Sequence, residues 1–227
     1  MQRRQFTSGL ITVGGLWALS ARAAGVTESD AALGIRAALE RGAVAAVGLL
    51  GRNGGFLDNP KVRIQLPGYL NEAAKVLKYA GQQKRVDELV TAMNRAAEAA
   101  VPQAKALLVN AVKSMSVEDG RQILTGGDNS ATQFFAEKTR APLAVKFLPI
   151  VTKATEKVSL ADKYNKVAGQ IASLGLVGQD EANIQNYITG KALDGLYLMI
   201  GEEERKIRKD PIGTGSAILK KVFGSLS

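Results

Sequence analysis

Apolar residues recur at intervals of three and four along most of the chain, which is the spacing that lines one face of an α-helix. The first such run contains, in order, Ile35, Leu39, Ala43, Val47 and Leu50. Thr27 and Asp30 resemble a capping box before this run, with Asp in place of the usual Glu, and Gly51 follows it as a stop signal. The pattern therefore predicts a helix from near Thr27 to about Leu50.

The same spacing predicts helices through most of the remaining sequence. The predicted spans are about 69–79, 85–100, 102–115, 116–124, 130–138, 140–157 and 159–171, with a last long helix starting near Asp180 and a short amphipathic tail, AILKKVF. The 85–100 stripe contains Val86, Leu89, Val90, Met93 and Ala97. The 140–157 face contains Leu143, Phe147, Ile150, Val151 and Ala154. Pro149 points away from that face, so we expect a kink there that is convex toward solvent.

One stretch, GRNGGFLDNPKVRIQLPG, interrupts the helical pattern with several glycines and prolines. Inside it Val62, Ile64 and Leu66 alternate with Arg63 and Gln65, which is the spacing of a strand, but no partner strand is evident. We therefore expect an extended segment that lies across the helices with its apolar side chains turned inward.

The composition favours helices over a β-sandwich. Of the residues, 46% are apolar but only 5% are aromatic, and alanine, leucine and valine dominate. No internal repeat or low-complexity linker divides the chain. We predict an all-α fold, in which residues 24–227 form a single compact bundle of about eight to ten helices with one extended irregular segment near residues 52–68.

The opening stretch, MQRRQFTSGLITVGGLWALSARAAG, has the three parts of a secretory signal peptide. Arg3 and Arg4 form a basic start, a moderately apolar stretch follows, and Ala21-Arg22-Ala23 is a small-x-small cleavage signal. The paired arginines are similar to the twin-arginine signal, which directs folded proteins across the membrane. We expect residues 1–23 to be cleaved and the rest to reach the periplasm, with the general secretion route left open as an alternative.

The leader also changes the charge. The whole chain has a net charge of +9, and residues 1–23 contain three arginines and no acidic residue, so the remainder carries +6. This mildly basic balance gives no reason to expect a nucleic-acid partner. No later apolar run approaches the roughly 20 residues that cross a bilayer, so we expect no transmembrane segment in the mature chain.

The chain contains neither cysteine nor histidine. These absences exclude disulfides, zinc–thiolate sites, iron–sulfur clusters and Ser-His-Asp catalysis. Any chemistry must therefore use carboxylates, lysines, tyrosines or hydroxyls. We predict no metal site and no cofactor, although a hard cation held by oxygen atoms remains open.

The stretch LTGGDNSATQFF has the composition of a phosphate or metal loop, but it lacks the lysine of a P-loop and the ligand spacing of an EF-hand. We interpret it as a corner between two helices. Gly126 or Gly127 would end the first in a left-handed conformation, and Asp128 or Ser130 would cap the second, with Ser130 and Gln133 as a capping box. The exposed amides of that helix start would also favour a bound anion.

A second candidate site lies in GEEERKIRK, where a helical wheel places Glu203 in the middle of an apolar stripe. A carboxylate that faces a core must be paired, hydrogen-bonded or protonated. Glu203 is therefore a candidate for a general acid or base, with Asp119, Asp128 or Asp194 as a second carboxylate. A structural ion pair is the alternative.

A third candidate is NPKVRIQLP, where Lys61 and Arg63 alternate with inward apolar residues and should point outward. Two such cations on an irregular segment suit a phosphate, a carboxylate or a sugar acid. Two solvated side chains are the alternative interpretation. The weak ligand-binding candidates are thus Lys61, Arg63 and the corner residues Gly126, Gly127, Asp128 and Ser130.

Four stretches, in order, carry a family resemblance: GFLDNPKVRIQLP, MNRAAEAAVPQAK, ILTGGDNSATQFF and GKALDGLYLMIGEEERKIRKDP. Together they resemble domain-of-unknown-function family 4197, which comprises exported proteins of Gram-negative bacteria. The resemblance covers nearly all of the chain after the leader. It implies a bacterial envelope protein and brings no activity with it.

Three functional hypotheses follow. The first is a non-enzymatic periplasmic protein that binds an anionic small molecule or an envelope component. The second is a hydrolase or lyase that uses carboxylates, with Glu203 as acid or base. The third is a membrane-surface protein whose AILKKVFGSL tail lies on anionic lipid. The sequence does not identify the ligand, the oligomeric state or a reaction.

Overall fold

The computed structural model describes residues 28–70, 74–75, 78–156, 161–162, 164–165 and 183–210. Its α-helices are α1 (Glu28–Leu50), α2 (Gln83–Ala100), α3 (Ala104–Lys113), α4 (Val117–Thr125), α5 (Ser130–Thr155) and α6 (Ile184–Lys209). Within those ranges there is no strand, so the prediction of an all-α protein is confirmed. The predicted number of eight to ten helices is not confirmed by the described part of the chain.

The two longest helices, α5 and α6, pack against each other, and α6 also packs against α1 and α2. Thr139 of α5 and Tyr197 of α6 share a buried hydrogen bond of 2.9 Å between their hydroxyls. At the outer edge of the same contact, Arg140 forms an ion pair of 2.5 Å with Asp194. The core is dominated by aliphatic side chains and small alanines, which allow the helices to approach closely.

The predicted apolar faces of α1 and α2 are confirmed. All ten predicted residues are buried, from Ile35 to Leu50 on α1 and from Val86 to Ala97 on α2. α1 ends at Leu50, directly before Gly51, as expected. The proposed capping residue Thr27 lies outside the described residues, as do most of the predicted 159–171 helix and the C-terminal tail.

Short elements connect α2 to α5. Pro102 lies in a single 3-10 turn, Val101–Gln103, because a proline nitrogen needs no partner in the first turn of a helix. α3 follows directly. Ser116 then starts α4 through a capping box with Asp119, in which each side chain accepts a hydrogen bond from the other residue's backbone amide. The predicted start of this helix at Ser116 is therefore confirmed.

The division of residues 130–157 into two helices was wrong. α5 runs without interruption from Ser130 to Thr155 and contains both Pro142 and Pro149. Both prolines are exposed, as predicted for Pro149, so the hydrogen bonds that they delete lie on the solvent side. The predicted inward position of Ala154 was also wrong, because Ala154 is exposed and Thr155 is fully buried beside it.

The extended segment between α1 and α2 has no partner strand and uses a side chain instead. Val62 and Ile64 are buried, Leu66 packs against the core, and the intervening residues are exposed, as predicted. The amide of Asn94, on α2, accepts from Ile64 N at 2.8 Å and donates to Ile64 O at 2.9 Å. Asn94 thus satisfies both backbone groups that a neighbouring strand would otherwise satisfy.

Candidate functional site

The N-terminal end of α5 is occupied by a carboxylate from the far end of α6. Glu204 accepts hydrogen bonds from Ala131 N at 3.0 Å, from Thr132 N at 2.9 Å and from the Thr132 hydroxyl at 2.8 Å. The first amides of a helix have no partner within the helix, and they carry its positive dipole end. A buried carboxylate at this position is therefore favourable.

Arg208, one turn after Glu204, neutralises this carboxylate and ties a third helix to it. Its Nε and Nη2 donate to Glu204 Oε1 at 3.2 and 2.8 Å. Nη2 also donates to Ile123 O, in α4, at 2.9 Å and to the Ser130 hydroxyl at 2.6 Å. The ends of α4 and α6 and the start of α5 thus meet at one ion pair, whose side chains are 5% and 20% exposed.

A small cleft opens beside this ion pair. Its apolar walls come from α1, α4, α5 and α6: Ile35, Ala38, Leu39, Ile123, Leu124, Ala131 and Ile207. The polar members of the lining are Glu204 and Arg208. The cleft has a volume of about 40 Å³ and is partly open to solvent. Its mostly apolar lining with one localised charge pair is similar to that of small-molecule sites, which are larger, at roughly 300–1,000 Å³.

The corner before α5 differs from the prediction in its backbone. Gly126 has φ −79° and ψ 172°, an extended conformation, and neither Gly126 nor Gly127 has a positive φ, so the predicted left-handed stop was wrong. A side chain at Gly126 would still meet the backbone oxygen of Gln122 and Cβ of Ser130, both at 2.7 Å. Gly126 is therefore required by a close approach.

The predicted capping box at Ser130 was also wrong. The residue before α5 is Asn129, whose side chain makes no capping hydrogen bond. Ser130 is the first residue of the helix, and its hydroxyl donates to Ile123 O at 2.8 Å. Asp128 is exposed. The anion at this helix start is thus the carboxylate of Glu204. The ligand-binding roles suggested for Gly126, Gly127, Asp128 and Ser130 stay predictions.

Glu203 lies next to Glu204 but forms a different kind of contact. Its side chain is 20% exposed and pairs with Lys206 at 2.6 Å. Its Cβ lies close to Gly42 on α1. The carboxylates considered as its partners have interactions of their own, since Asp119 caps α4 and Asp194 pairs with Arg140. A role for Glu203 or Asp128 as acid or base stays a prediction.

Lys61 and Arg63 point outward, as expected, and each has a partner within the protein. Lys61 pairs with Glu202 at 2.7 Å, and Glu202 also accepts from Arg205 at 2.7 Å. The hydrogen bonds from Lys61 and Arg205 lower the pKa of Glu202. Arg63 donates to Leu57 O at 2.8 Å, within the extended segment. Both cations therefore hold this segment in place, and their predicted role in binding an anion stays untested.

A second buried carboxylate, Glu98, lies on α2 one turn after Asn94. It accepts from Phe56 N and Leu57 N, both at 3.0 Å, and from Arg95 at 2.6 Å. Burial opposes its ionisation. The hydrogen bonds from Leu57, Arg95 and Phe56 and the charge of Arg95 together outweigh burial, so the pKa of Glu98 lies below its ordinary value. Asn94 and Glu98 together fasten the extended segment to α2.

The sequence interpretation missed the most connected polar residues, Glu204, Arg208, Asn94 and Glu98. One signal was present for the first pair. Leu196, Ile200, Glu204 and Arg208 follow each other at intervals of four, so the acid continues an apolar row and has a base one turn later. The wheel centred on Leu196 drew attention to Glu203 instead. No comparable signal identified Asn94 or Glu98, whose partners are backbone groups about 30 to 40 residues away.

Among the residues that the structure describes, no group of three or more acidic residues is arranged to hold a metal ion. The helices in the same part of the chain are not long and apolar enough to cross a membrane.

The fold and the cleft define an all-α protein whose helix ends meet at a buried ion pair. The model of the family described as "Protein of unknown function (DUF4197)" matches residues 25–224, and the chain belongs to this family. The match confirms the resemblance carried by the four sequence stretches. No curated protein and no solved structure matches the chain.

Proposed function

We propose that this protein is exported to the periplasm and binds a small amphiphilic anion, such as a fatty carboxylate, in the cleft beside Glu204 and Arg208. One observation carries the proposal: the lining of an apolar cleft includes Arg208, whose guanidinium group has one nitrogen without a hydrogen bond. Arg208 uses Nε and Nη2 for its hydrogen bonds, whereas its Nη1 makes none within the described part of the chain.

The apolar walls suit the end of a hydrocarbon chain. Ile35, Ala38 and Leu39 face the cleft from α1, and Ile123 and Ile207 face it from α4 and α6. The enclosed volume accommodates only a few heavy atoms, so the rest of such a ligand would extend to the open side. Burying a methylene group contributes about 0.8 kcal/mol, so a short chain end alone would bind weakly and a charged head group would add to its affinity.

The electrostatics of the cleft suit an anionic head group in spite of Glu204. The carboxylate of Glu204 accepts five hydrogen bonds, and its charge is matched by Arg208 and by the positive end of α5. The unused Nη1 edge can therefore donate to a second carboxylate. A planar guanidinium group is well suited to binding two anionic partners at its separate edges.

Export is supported by the opening sequence. The basic start, the apolar stretch and Ala21-Arg22-Ala23 form a signal peptide, and the family match begins at residue 25, just after the expected cleavage position. The direct test is to express the full chain in Gram-negative cells and sequence the N-terminus of the periplasmic protein. We expect it to begin at residue 24, and we expect the double change Arg3→Lys and Arg4→Lys to block a twin-arginine route. A protein that stays uncleaved in the cytoplasm would contradict export.

Ligand binding can be tested with anilinonaphthalene sulfonate, a fluorescent apolar dye with one anionic group. We expect the purified protein to bind the dye and octanoate to displace it more effectively than octanol, because only octanoate offers a carboxylate to Arg208. Ala38→Leu would fill the cleft and abolish dye binding. Ala106→Leu is the matched control, since Ala106 is exposed on α3.

The two parts of the proposal fail separately in this experiment. Dye binding that Ala38→Leu leaves unchanged would show that the cleft is not the site. If octanol and octanoate displace the dye equally and Ala38→Leu abolishes dye binding, the cleft is the binding site but it does not recognise an anionic head group.

A further inference from the structure

The outer face of α5 is apolar where a solvent-exposed helix is normally polar. Its exposed apolar residues in this stretch are Ala141, Pro142, Val145, Leu148 and Pro149, and the exposed Lys146 lies at their edge. They fall within about 120° of each other on a wheel of 100° per residue. Val145 is 75% exposed and Leu148 is 37% exposed. We call this set the α5 outer face. The other sides of α5 pack against α6, α2, α3 and α4.

The charged residues along this face have one sign. From Lys138 to Lys153, every charged residue of α5 is basic: Lys138, Arg140, Lys146 and Lys153. Arg140 is paired with Asp194, and Lys138 lies near Asp119. Lys146 and Lys153 form no ion pair with any described residue, and both are exposed. Exposed acidic residues flank this stretch, since Glu137 directly precedes Lys138 and Glu156 follows α5.

The two prolines limit how deeply this face can be buried. A proline nitrogen carries no hydrogen, so the carbonyls of Lys138 and Val145 lack the amide donor that lies four residues later in a regular helix. Such carbonyls need water or another donor, and hydrocarbon provides neither. The α5 outer face is therefore suited to a shallow, hydrated contact.

We infer that the α5 outer face is a docking surface for a bilayer with anionic head groups. An apolar stripe bordered by lysines is the pattern of helices that lie in the plane of a membrane surface. The aliphatic side chains would enter the head-group region while Lys146 and Lys153 reach anionic lipids. This surface is separate from the cleft, and the inference does not depend on the proposed ligand.

The charge of the α5 outer face favours an anionic bilayer over a second copy of the chain as its partner. Two copies that paired symmetrically through the centre of the α5 outer face would bring Lys146 near the same lysine of the other copy, where no acidic residue offsets the two charges. An anionic surface complements these charges instead. An acidic protein would have the same complementarity, but it would have to bury the proline-flanked carbonyls, whereas a head-group region leaves them hydrated.

The experiment is co-sedimentation of the protein, purified after expression and processing of the full chain, with two kinds of vesicle. One kind contains phosphatidylcholine alone, and the other contains equal amounts of phosphatidylcholine and phosphatidylglycerol. We expect binding to the second kind only, and we expect added salt to weaken it. The double variant Lys146→Gln and Lys153→Gln should bind roughly thirty-fold more weakly, since each basic residue near an anionic surface contributes about 1 kcal/mol.

Two matched pairs of variants make the test specific to the face. Lys105→Gln with Lys113→Gln removes the same charge from exposed positions of α3, and it should leave binding within a few-fold of the wild type. Val145→Ser with Leu148→Ser should weaken binding, whereas Leu33→Ser with Val117→Ser changes two exposed apolar residues elsewhere and should not. Thermal unfolding followed by circular dichroism verifies that all four variants fold.

Several results would overturn the inference. Absence of binding to the anionic vesicles would reject it outright, and so would equal losses in the α5 and α3 lysine variants. Unchanged binding in the Val145→Ser, Leu148→Ser variant would show that the apolar residues do not enter the surface. A dimer in sedimentation velocity that this variant dissociates would identify a second copy as the occupant.

Discussion

Thr132 donates two hydrogen bonds to the carboxylate of Glu204, one from its backbone amide at 2.9 Å and one from its hydroxyl at 2.8 Å. A helix start is usually capped by the residue directly before it, but Asn129 makes no such bond. The cap of α5 instead comes from a different helix, α6. The local structure of residues 126–132 therefore depends on tertiary packing.

Replacing Glu204 should destabilise the fold much more than replacing its neighbour. Glu204→Gln leaves Arg208 without its counterion and weakens the cap of α5, so we expect a loss of about 2–4 kcal/mol in the free energy of unfolding. Glu203→Gln breaks only the pair with the exposed Lys206 and should cost about 0.5 kcal/mol or less. Urea denaturation of both variants measures the difference. Equal losses would contradict the structural role assigned to Glu204.

Removing the Asn94 amide should release the extended segment. Asn94→Ala leaves the buried N–H and C=O of Ile64 without partners, so we expect a loss of about 2–4 kcal/mol. The matched change Asn110→Ala, at an exposed position of α3, should alter stability by about 0.5 kcal/mol at most. Hydrogen exchange provides a local readout, because the Ile64 amide should lose its protection in the first variant only. Retained protection would mean that Asn94 is not the partner that holds Ile64.

Glu98 should make stability sensitive to acid. The pKa of Glu98 is lower in the folded state than in the unfolded state, because Leu57, Arg95 and Phe56 stabilise its charged form against the effect of burial. The unfolded chain therefore binds a proton first as the pH falls, and stability decreases from about pH 4.3 downward through the folded pKa. Glu98→Gln should be less stable at neutral pH and should show a flatter dependence in that window. Glu118→Gln, at an exposed residue, should keep the wild-type slope.

Two glycines of α6 should respond in opposite directions to alanine. At Gly195, an added Cβ would lie 2.7 Å from Cε1 of Phe56, in the extended segment, so Gly195→Ala should cost about 1–3 kcal/mol. At Gly190, nothing lies within 4 Å of an added Cβ, so Gly190→Ala should stabilise by about 0.5–1 kcal/mol through helix propensity. Thermal unfolding of the two variants measures both changes in stability. A stabilising Gly195→Ala would mean that Phe56 does not contact this helix.

The sequence predicted those parts of the fold that depend on local regularity. The stripes of α1 and α2 each extend over more than three turns, and every residue predicted to be inside them is buried. Ser116 and Asp119 are three residues apart, so their capping box was visible. The helix boundary predicted near residue 139 was wrong, because α5 runs through that position without interruption. In α5 both prolines face solvent, and the helix continues through them.

The site depended on long-range contacts and could not be predicted in the same way. The neighbours Glu203 and Glu204 have the same side chain, and only the position of the N-terminus of α5 decides which of them is buried. Asn94 and Glu98 look like ordinary surface residues of α2, because the partners that require them are backbone groups of the extended segment. We expected the start of α5 to favour a bound anion, but the carboxylate of Glu204 from the same chain occupies this position.

The joint between α5 and α6 also has a consequence for the order in which the protein can complete its fold. Ala131 and Glu204 are 73 residues apart, so the ribosome makes Glu204 and Arg208 long after it makes the start of α5. Until then, the first amides of α5 lack their acceptor, and the start of this helix stays uncapped. The expected leader precedes both helices in the chain, so the ribosome makes it before the residues of this joint.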